Sequence, residues 1–190
     1  MDKLIIRRLK IFDIRVLDKM YEQLSEQSKT YFQPGLFKYE LRYLSDRPIV
    51  LLILRISLIA STIPCIPSIA AWIMPTFSWD SIVAIINGNI VGFAFLKLKT
   101  KRRASVGLCV SDRYQNRGIG KKLFVLLLKK AAKKNLALDL YVIEANRIAQ
   151  KLYVSFGFQY TGTKSIHWQK DKCNVSIEMK CCKFDISNDA

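Results

Sequence analysis

The chain holds a single histidine, His167, and only 15 acidic residues against 31 lysines and arginines. The five cysteines, Cys65, Cys109, Cys173, Cys181 and Cys182, are odd in number, and no pair shows C-x-x-C or His/Cys metal spacing. With one imidazole available, a zinc site is not expected, and no metal is called for. A reducing cytoplasm is the simplest home for such thiols. Residues Met1 to Arg8 lack the apolar run of a secretory signal and already alternate like a strand. No stretch offers the ~20 uninterrupted apolar residues that a spanning helix needs. Internal repeats, low-complexity tracts and linkers are also missing, so the 190 residues read as one domain.

What is present is a basic, globular composition. The formal net charge is +16, with 51% hydrophobic and 24% charged residues. That excess attracts phosphates, anionic lipid, nucleic acid or an anionic cofactor, and sign alone cannot choose among them. Lys129, Lys130, Lys133 and Lys134 read first as a solvated helix face. No base-reading motif accompanies them, so nucleic acid is not the expected partner.

Leu4 to Leu9 reads as a first strand, and Asp13 stands where a helix N-cap is wanted. Val16, Leu17, Met20, Tyr21 and Leu24 follow at helical spacing. Ser25 to Gly35 is polar and turn-rich, and a second short helix is expected from about Leu36 to Leu44. Between Arg47 and Asp80 the only formal charge is Arg55, and Pro48, Pro64, Pro67 and Pro75 punctuate the segment. Residues 49–63 and 66–77 make two apolar legs. They fit either a hairpin buried against the domain or a partner subunit, or an anchor dipping into one anionic leaflet.

Ser81 to Ile86 and Asn89 to Leu96 flank Asn87-Gly88, a strong hairpin signal. Ser105 to Val110 is a further strand, a helix runs from about Gly118 to Lys134, and Asn135 is a C-terminal stop. Leu138, Leu140 and Val142 alternate as the next strand, with a helix from about Asn146 to Phe156. Strands near Phe158 to Thr161 and Val175 to Met179 close the sheet. Strand, helix and strand between Val106 and Val142 imply a parallel pair with a right-handed crossover. Joined to the hairpin, they predict an α/β fold with a mixed sheet and helices on both faces.

The junction before the long helix carries the chemistry. A strand ends, Arg113 to Gly120 form a polar glycine-rich turn, and a helix opens at once. A helix start presents unpaired N–H groups and the positive end of the dipole to an anion. Gly118 and Gly120 allow close approach, and Arg117 and Lys121 add charge. The Gly-Lys-Ser/Thr ending of a P-loop and the dinucleotide G-x-G-x-x-G are both absent. An ordinary strand-to-helix turn remains the plainer reading of the glycines alone.

Gln115-x-x-Gly118-x-Gly120 resembles the Q/R-x-x-G-x-G/A pyrophosphate loop of the GNAT acetyltransferases. Asn146, Ala149 and Tyr153, followed by Gly157-Phe158, resemble that family's N-x-x-A-x-x-x-Y-x-x-x-G-F element. The likeness covers Asn87 to about Thr161 well and the first fifty residues loosely. The resemblance implies a GNAT fold over residues 1–190, with 47–80 as an apolar insert, and acetyl-CoA as acyl donor. In such a fold two central parallel strands splay, and Leu108, Cys109 and Val110 would pair with the pantetheine arm. Gln115, Asn116, Arg117, Gly118, Ile119, Gly120 and Lys121 would hold the pyrophosphate. A main-chain N–H near Val110 would serve the oxyanion.

The acceptor amine would attack directly, so orientation is the protein's main task. Tyr153 would protonate the leaving thiolate, with core packing as its plainer role. Asn146 would fix the cofactor or local backbone. Glu144 is the first candidate base, directly or through water, beside its reading as a solvated carboxylate at a helix start. His167 is a second candidate base. Cys109 faces away from Leu108 and Val110 and reads as packing. Ser25 to Ser28 with Tyr31 to Pro34 resembles the acceptor-side segment of GNAT proteins of surface-glycan pathways. The expected acceptor is accordingly a small or sugar amine, with protein amino termini or lysines as the alternative. A membrane-tethered acyl-CoA-binding module without turnover is the rival from another class. Acceptor identity and homodimerisation stay open.

Overall fold

The computed structural model describes residues 3–10, 13–32, 80–169 and 172–181. The helix expected over 36–44 and the insert expected over 47–80 lie outside the described residues, except Asp80. The side chain of His167 also lies outside them.

Seven strands form one sheet in the order β1-β2-β3-β4-β5-β7-β6. They are β1 (Leu4–Arg8), β2 (Asp80–Ile86), β3 (Asn89–Thr100), β4 (Arg103–Val110), β5 (Ala137–Ile143), β6 (Gln159–Gln169) and β7 (Lys172–Cys181). The helices are α1 (Ile14–Glu22), α2 (Glu26–Tyr31), α3 (Ile119–Lys133) and α4 (Arg147–Ser155). The β4–β5 contact is parallel and the other strand pairs are antiparallel, giving the mixed sheet that the pattern predicts. The β2–β3 turn works because Asn87 and Gly88 both hold positive φ, 50° and 79°, the backbone that a two-residue hairpin requires.

Strand alternation divides the core. Ile82, Ala84, Ile86, Ala94 and Leu96 join Leu123, Phe124, Leu127 and Leu128 of α3 on one face. Tyr153 of α4 and Phe156, which caps its C-terminus, reach the same cluster, and their rings lie 5.2 and 5.4 Å from Phe124. Val83, Phe93, Phe95 and Cys109 face the other side, under Leu17, Met20 and Leu24 of the α1 segment.

Two local expectations change. Asp13 does not cap α1 with its side chain. Its carboxylate instead accepts from Arg7 Nη1 at 2.6 Å, Arg7 Nη2 at 2.8 Å and the Lys10 amide at 2.7 Å. A bidentate charged partner outcompetes the neutral helix amides. The stretch from Ser25, read as turn, contains α2, whose first amides are served by Ser25 Oγ accepting from Ser28 N at 3.2 Å. Strands β6 and β7 also run longer than their apolar alternation suggests, because hairpin pairing continues out to Gln169 and Lys172. Among the described residues, no helix is long and apolar enough to cross a membrane.

Candidate active site

Parallel pairing between β4 and β5 covers Arg103↔Ala137, Ala104↔Leu138 and Ser105↔Asp139 and stops there. Beyond that point β4 stays paired to β3 as far as Val110, and β5 stays paired to β7 as far as Ile143. The inner edges of both strands therefore part with their main-chain groups turned into the gap. Such edges can pair with an extended amide-bearing ligand. A cleft of about 750 Å³ occupies this place. Leu108, Cys109 and Val110 lie on its wall, where the sequence places the cofactor arm.

At its end the chain passes through a 3₁₀ turn, Asp112–Tyr114, into the glycine loop. Asn116 and Gly118 take left-handed backbone, φ 58° and 73°, with Gly118 the N-cap of α3. Alternation into left-handed backbone turns successive amides toward one side, which makes an anion-binding concavity. The amides from Asn116 to Lys121 donate to no described carbonyl, and the first turn of α3 holds no acidic residue. Arg117 stacks on Tyr114 with its guanidinium carbon 5.2 Å from the ring centre.

Not every loop residue lies on the cleft wall. Gln115, Asn116 and Gly120 do, whereas Ile119 is buried in the core under α3, so only its backbone can serve a ligand. The Gln115 amide donates to Asp112 O at 3.3 Å. Its side-chain nitrogen donates to Val110 O and Asp112 Oδ1, each at 3.1 Å, and to Ser28 Oγ at 3.3 Å. Gln115 thus braces the loop.

Asp112, which no sequence motif singles out, joins that brace. It accepts from the Ser25 amide at 2.7 Å, from Ser25 Oγ at 3.2 Å and from Ser28 Oγ. Burial pushes its carboxyl up, but the bonds from Ser28 and Ser25 outweigh that and hold it below the usual carboxylate range. The start of α2 is therefore tied to the loop before α3.

Tyr153 lies on the cleft wall and is 8% exposed. Burial, followed by the neighbouring Cys109, pushes its phenol well above the ordinary tyrosine range, so it stays protonated through neutral pH. Asn146 caps α4, its Oδ1 accepting from Ala149 N at 3.2 Å. Gln150, also missed, is 3% exposed and donates to Ile143 O at 3.2 Å and Glu144 O at 2.7 Å. It fixes the end of β5, yet mid-helix polar residues look solvated in a sequence.

Glu144 is not brought into the cleft. Its carboxylate accepts from Lys164 Nζ at 3.0 Å, and it does not lie on the wall. Of His167, the backbone pairs with Asn174 across the β6–β7 hairpin.

Cys109 lies on the α1 side of the sheet, as its alternation predicts. Burial, followed by the charge of Asp112, pushes its thiol up to about 12. In native protein at pH 8, iodoacetamide is expected to leave Cys109 unlabelled while exposed Cys173 reacts, read by peptide mass spectrometry. Because the folded state raises this pKa, the neutral thiol stabilises the fold fully below pH ~9. That contribution is lost as pH climbs toward about 12.

A family profile described as the acetyltransferase (GNAT) family matches residues 60–158. The spermine/spermidine N(1)-acetyltransferase of Bacillus subtilis (strain 168) is 32% identical over 93 residues, 44% of this chain and 61% of that protein. The L-amino acid N-acetyltransferase AaaT of Escherichia coli (strain K12) is 30% identical over 88 residues, 43% of this chain and 54% of that protein. The matched stretches thus span little more than half of these curated relatives. A structure from Salmonella typhimurium, solved with its cofactor acetyl-CoA, superposes with a TM-score of 0.63 at 13% identity. It covers 94% of this chain and 92% of the other.

Proposed function

The chain belongs to the acetyltransferase (GNAT) family, and from that premise we propose that it transfers an acetyl group from acetyl-CoA to a small primary amine. The observation that carries the reading is the β4–β5 gap opening onto the Asn116–Gly120 loop. The pantetheine arm would lie against Leu108 to Val110, and its pyrophosphate would meet the amides of Asn116 to Gly120 with Arg117 and Lys121 nearby. The amine would attack the thioester carbonyl, with the oxyanion taking a main-chain N–H near Val110. Tyr153 would return a proton to the departing sulfur, and Asn146 would hold the start of α4 in register.

Calorimetry with acetyl-CoA and with acetyl-pantetheine, which lacks the pyrophosphate, tests this. Micromolar binding of acetyl-CoA, with at least tenfold weaker binding of the truncated donor, is the expected result. Equal binding of the two, or none by folded protein, would defeat the reading.

The base is a separate matter. Glu144 is already paired to Lys164, so Glu144→Gln is expected to change kcat/KM by less than about threefold, against the 10²–10⁴ that a general base contributes. A hundredfold fall, with the acetyl-CoA Kd unchanged, would return proton removal to Glu144. We also keep as proposals a single domain over residues 1–190 and membrane contact through 49–77. The net charge of +16 supports the latter, and flotation with anionic vesicles at low salt tests it.

A further inference from the structure

Four aromatic rings from three elements line the cleft, and strand register sets two of them back from the glycine loop, Phe95 opposite Gly107 and Tyr141 two residues past the last β4–β5 pair. Tyr31 ends α2, Phe32 follows it, Phe95 comes from β3 and Tyr141 from β5, and all four line the cleft. Helix α2 packs against β5.

Each ring is held in place. Gln27 Nε2 donates to Tyr31 Oη at 2.9 Å. Phe32 packs on Tyr21 with ring centres 6.3 Å apart. Tyr141 Oη donates to Glu178 Oε1 at 3.5 Å, and Lys99 Nζ sits 5.7 Å from its ring centre. The Phe95 ring lies folded over Gly107, where an added Cβ would stand 2.3 Å from its Cε1 and Cζ. The absence of a side chain at Gly107 is therefore what lets an aromatic ring floor the cleft where β4 and β5 part.

Charge points the same way. Among the described residues, the charged groups on the cleft wall are Lys97 and Asp112. Asp112 is saturated by Ser25, Ser28 and Gln115. The carboxylates tied to the Tyr141 wall are also committed, Asp139 to Lys99 at 2.6 Å and Glu178 to Lys180 at 2.9 Å. Among the described residues, a second ammonium on the acceptor would lose water here without gaining a free carboxylate. The net charge of +16 repels polycations at longer range as well.

Resting on the acetyl-transfer reading, we propose that the acceptor is a primary amine carrying an aromatic group and no second positive charge, bound between Phe95, Tyr141 and the Tyr31–Phe32 pair. Preorganised rings bind such a group at low ordering cost, and an aromatic face tolerates the single ammonium before it loses its proton. The amine then forms the C–N bond as the C–S bond breaks. Its surplus proton leaves, and the CoA sulfur gains one.

The test measures initial acetylation rates with phenethylamine, butylamine, glucosamine and spermidine, for the wild-type chain, Tyr141→Ala and Phe95→Leu. Phenethylamine is expected to exceed spermidine in kcat/KM by at least tenfold, and butylamine and glucosamine by several-fold. Tyr141 is half-exposed, so its truncation leaves the fold intact. Tyr141→Ala and Phe95→Leu should each raise the KM for phenethylamine about tenfold and leave the acetyl-CoA Kd unchanged. Preference for spermidine or glucosamine, or variants that lower all four amines equally, overturns the proposal. So does transfer to none of them by protein that binds acetyl-CoA. Absence of acetyl-CoA binding instead overturns the function on which the proposal rests.

Discussion

Tyr153→Phe is expected to lower kcat by about a hundredfold, within the range of a lost general acid, and to leave acetyl-CoA affinity unchanged. The change is clean because the ring does separate work from the hydroxyl. Its ring packs 5.2 Å from Phe124 and 6.0 Å from Phe158, and phenylalanine keeps those contacts, so the melting temperature should move little. Burial holds the phenol above its usual range, with Cys109 adding to the effect. The group is therefore protonated at every pH where the enzyme would be assayed, and it can donate to a thiolate as the C–S bond breaks. No alkaline loss of kcat below pH ~10 should trace to Tyr153. Rapid-quench turnover of Tyr153→Phe with saturating acetyl-CoA separates chemistry from binding. A kcat within threefold of wild type would mean that water protonates the sulfur and that Tyr153 only packs.

The parts of this site that were legible in the sequence are those set by local chemistry. The strand ending at Val110, the turn and the glycine at Gly118 are each specified by neighbours in the chain. Asn146 was legible as a helix start, and its cap to Ala149 gives that asparagine its place. What could not be read depends on partners far along the chain. Helix α2 buries no residue of its own, so no apolar stripe announces it. Ser25 and Ser28 reach Asp112 across separations of 87 and 84 residues.

Glu144 shows the same limit from the other side. Its position after β5 makes it the candidate base in the sequence, and in the fold Lys164 on β6 pairs with its carboxylate. That pairing is invisible until the strand order β5-β7-β6 is known. The splay is likewise a matter of where pairing stops, and alternation along Leu138, Leu140 and Val142 says which face a residue takes, not where a neighbouring strand leaves.

Gly118→Ala is expected to weaken acetyl-CoA binding by about tenfold, whereas Gly120→Ala should be close to neutral. Both substitutions add one methyl, and neither meets a clash. A Cβ on Gly118 would find nothing within 4 Å, and one on Gly120 would rest 3.7 and 3.8 Å from Val110 and Leu108. The difference is in the backbone. Gly118 holds φ 73°, where an L side chain costs roughly 1–2 kcal/mol, and Gly120 lies in the first turn of α3, where alanine is the better helix former. The strained loop relaxes toward right-handed backbone, and its amides turn away from the phosphate. At about 1.4 kcal/mol per factor of ten, that strain sets the size of the loss in affinity. If the loop instead keeps its shape, the same strain appears as a lower melting temperature with Kd unchanged. Measuring both quantities for both variants therefore decides the matter. Equal effects of the two alanines on Kd would mean that space near the phosphate, and not the left-handed turn at Gly118, governs binding.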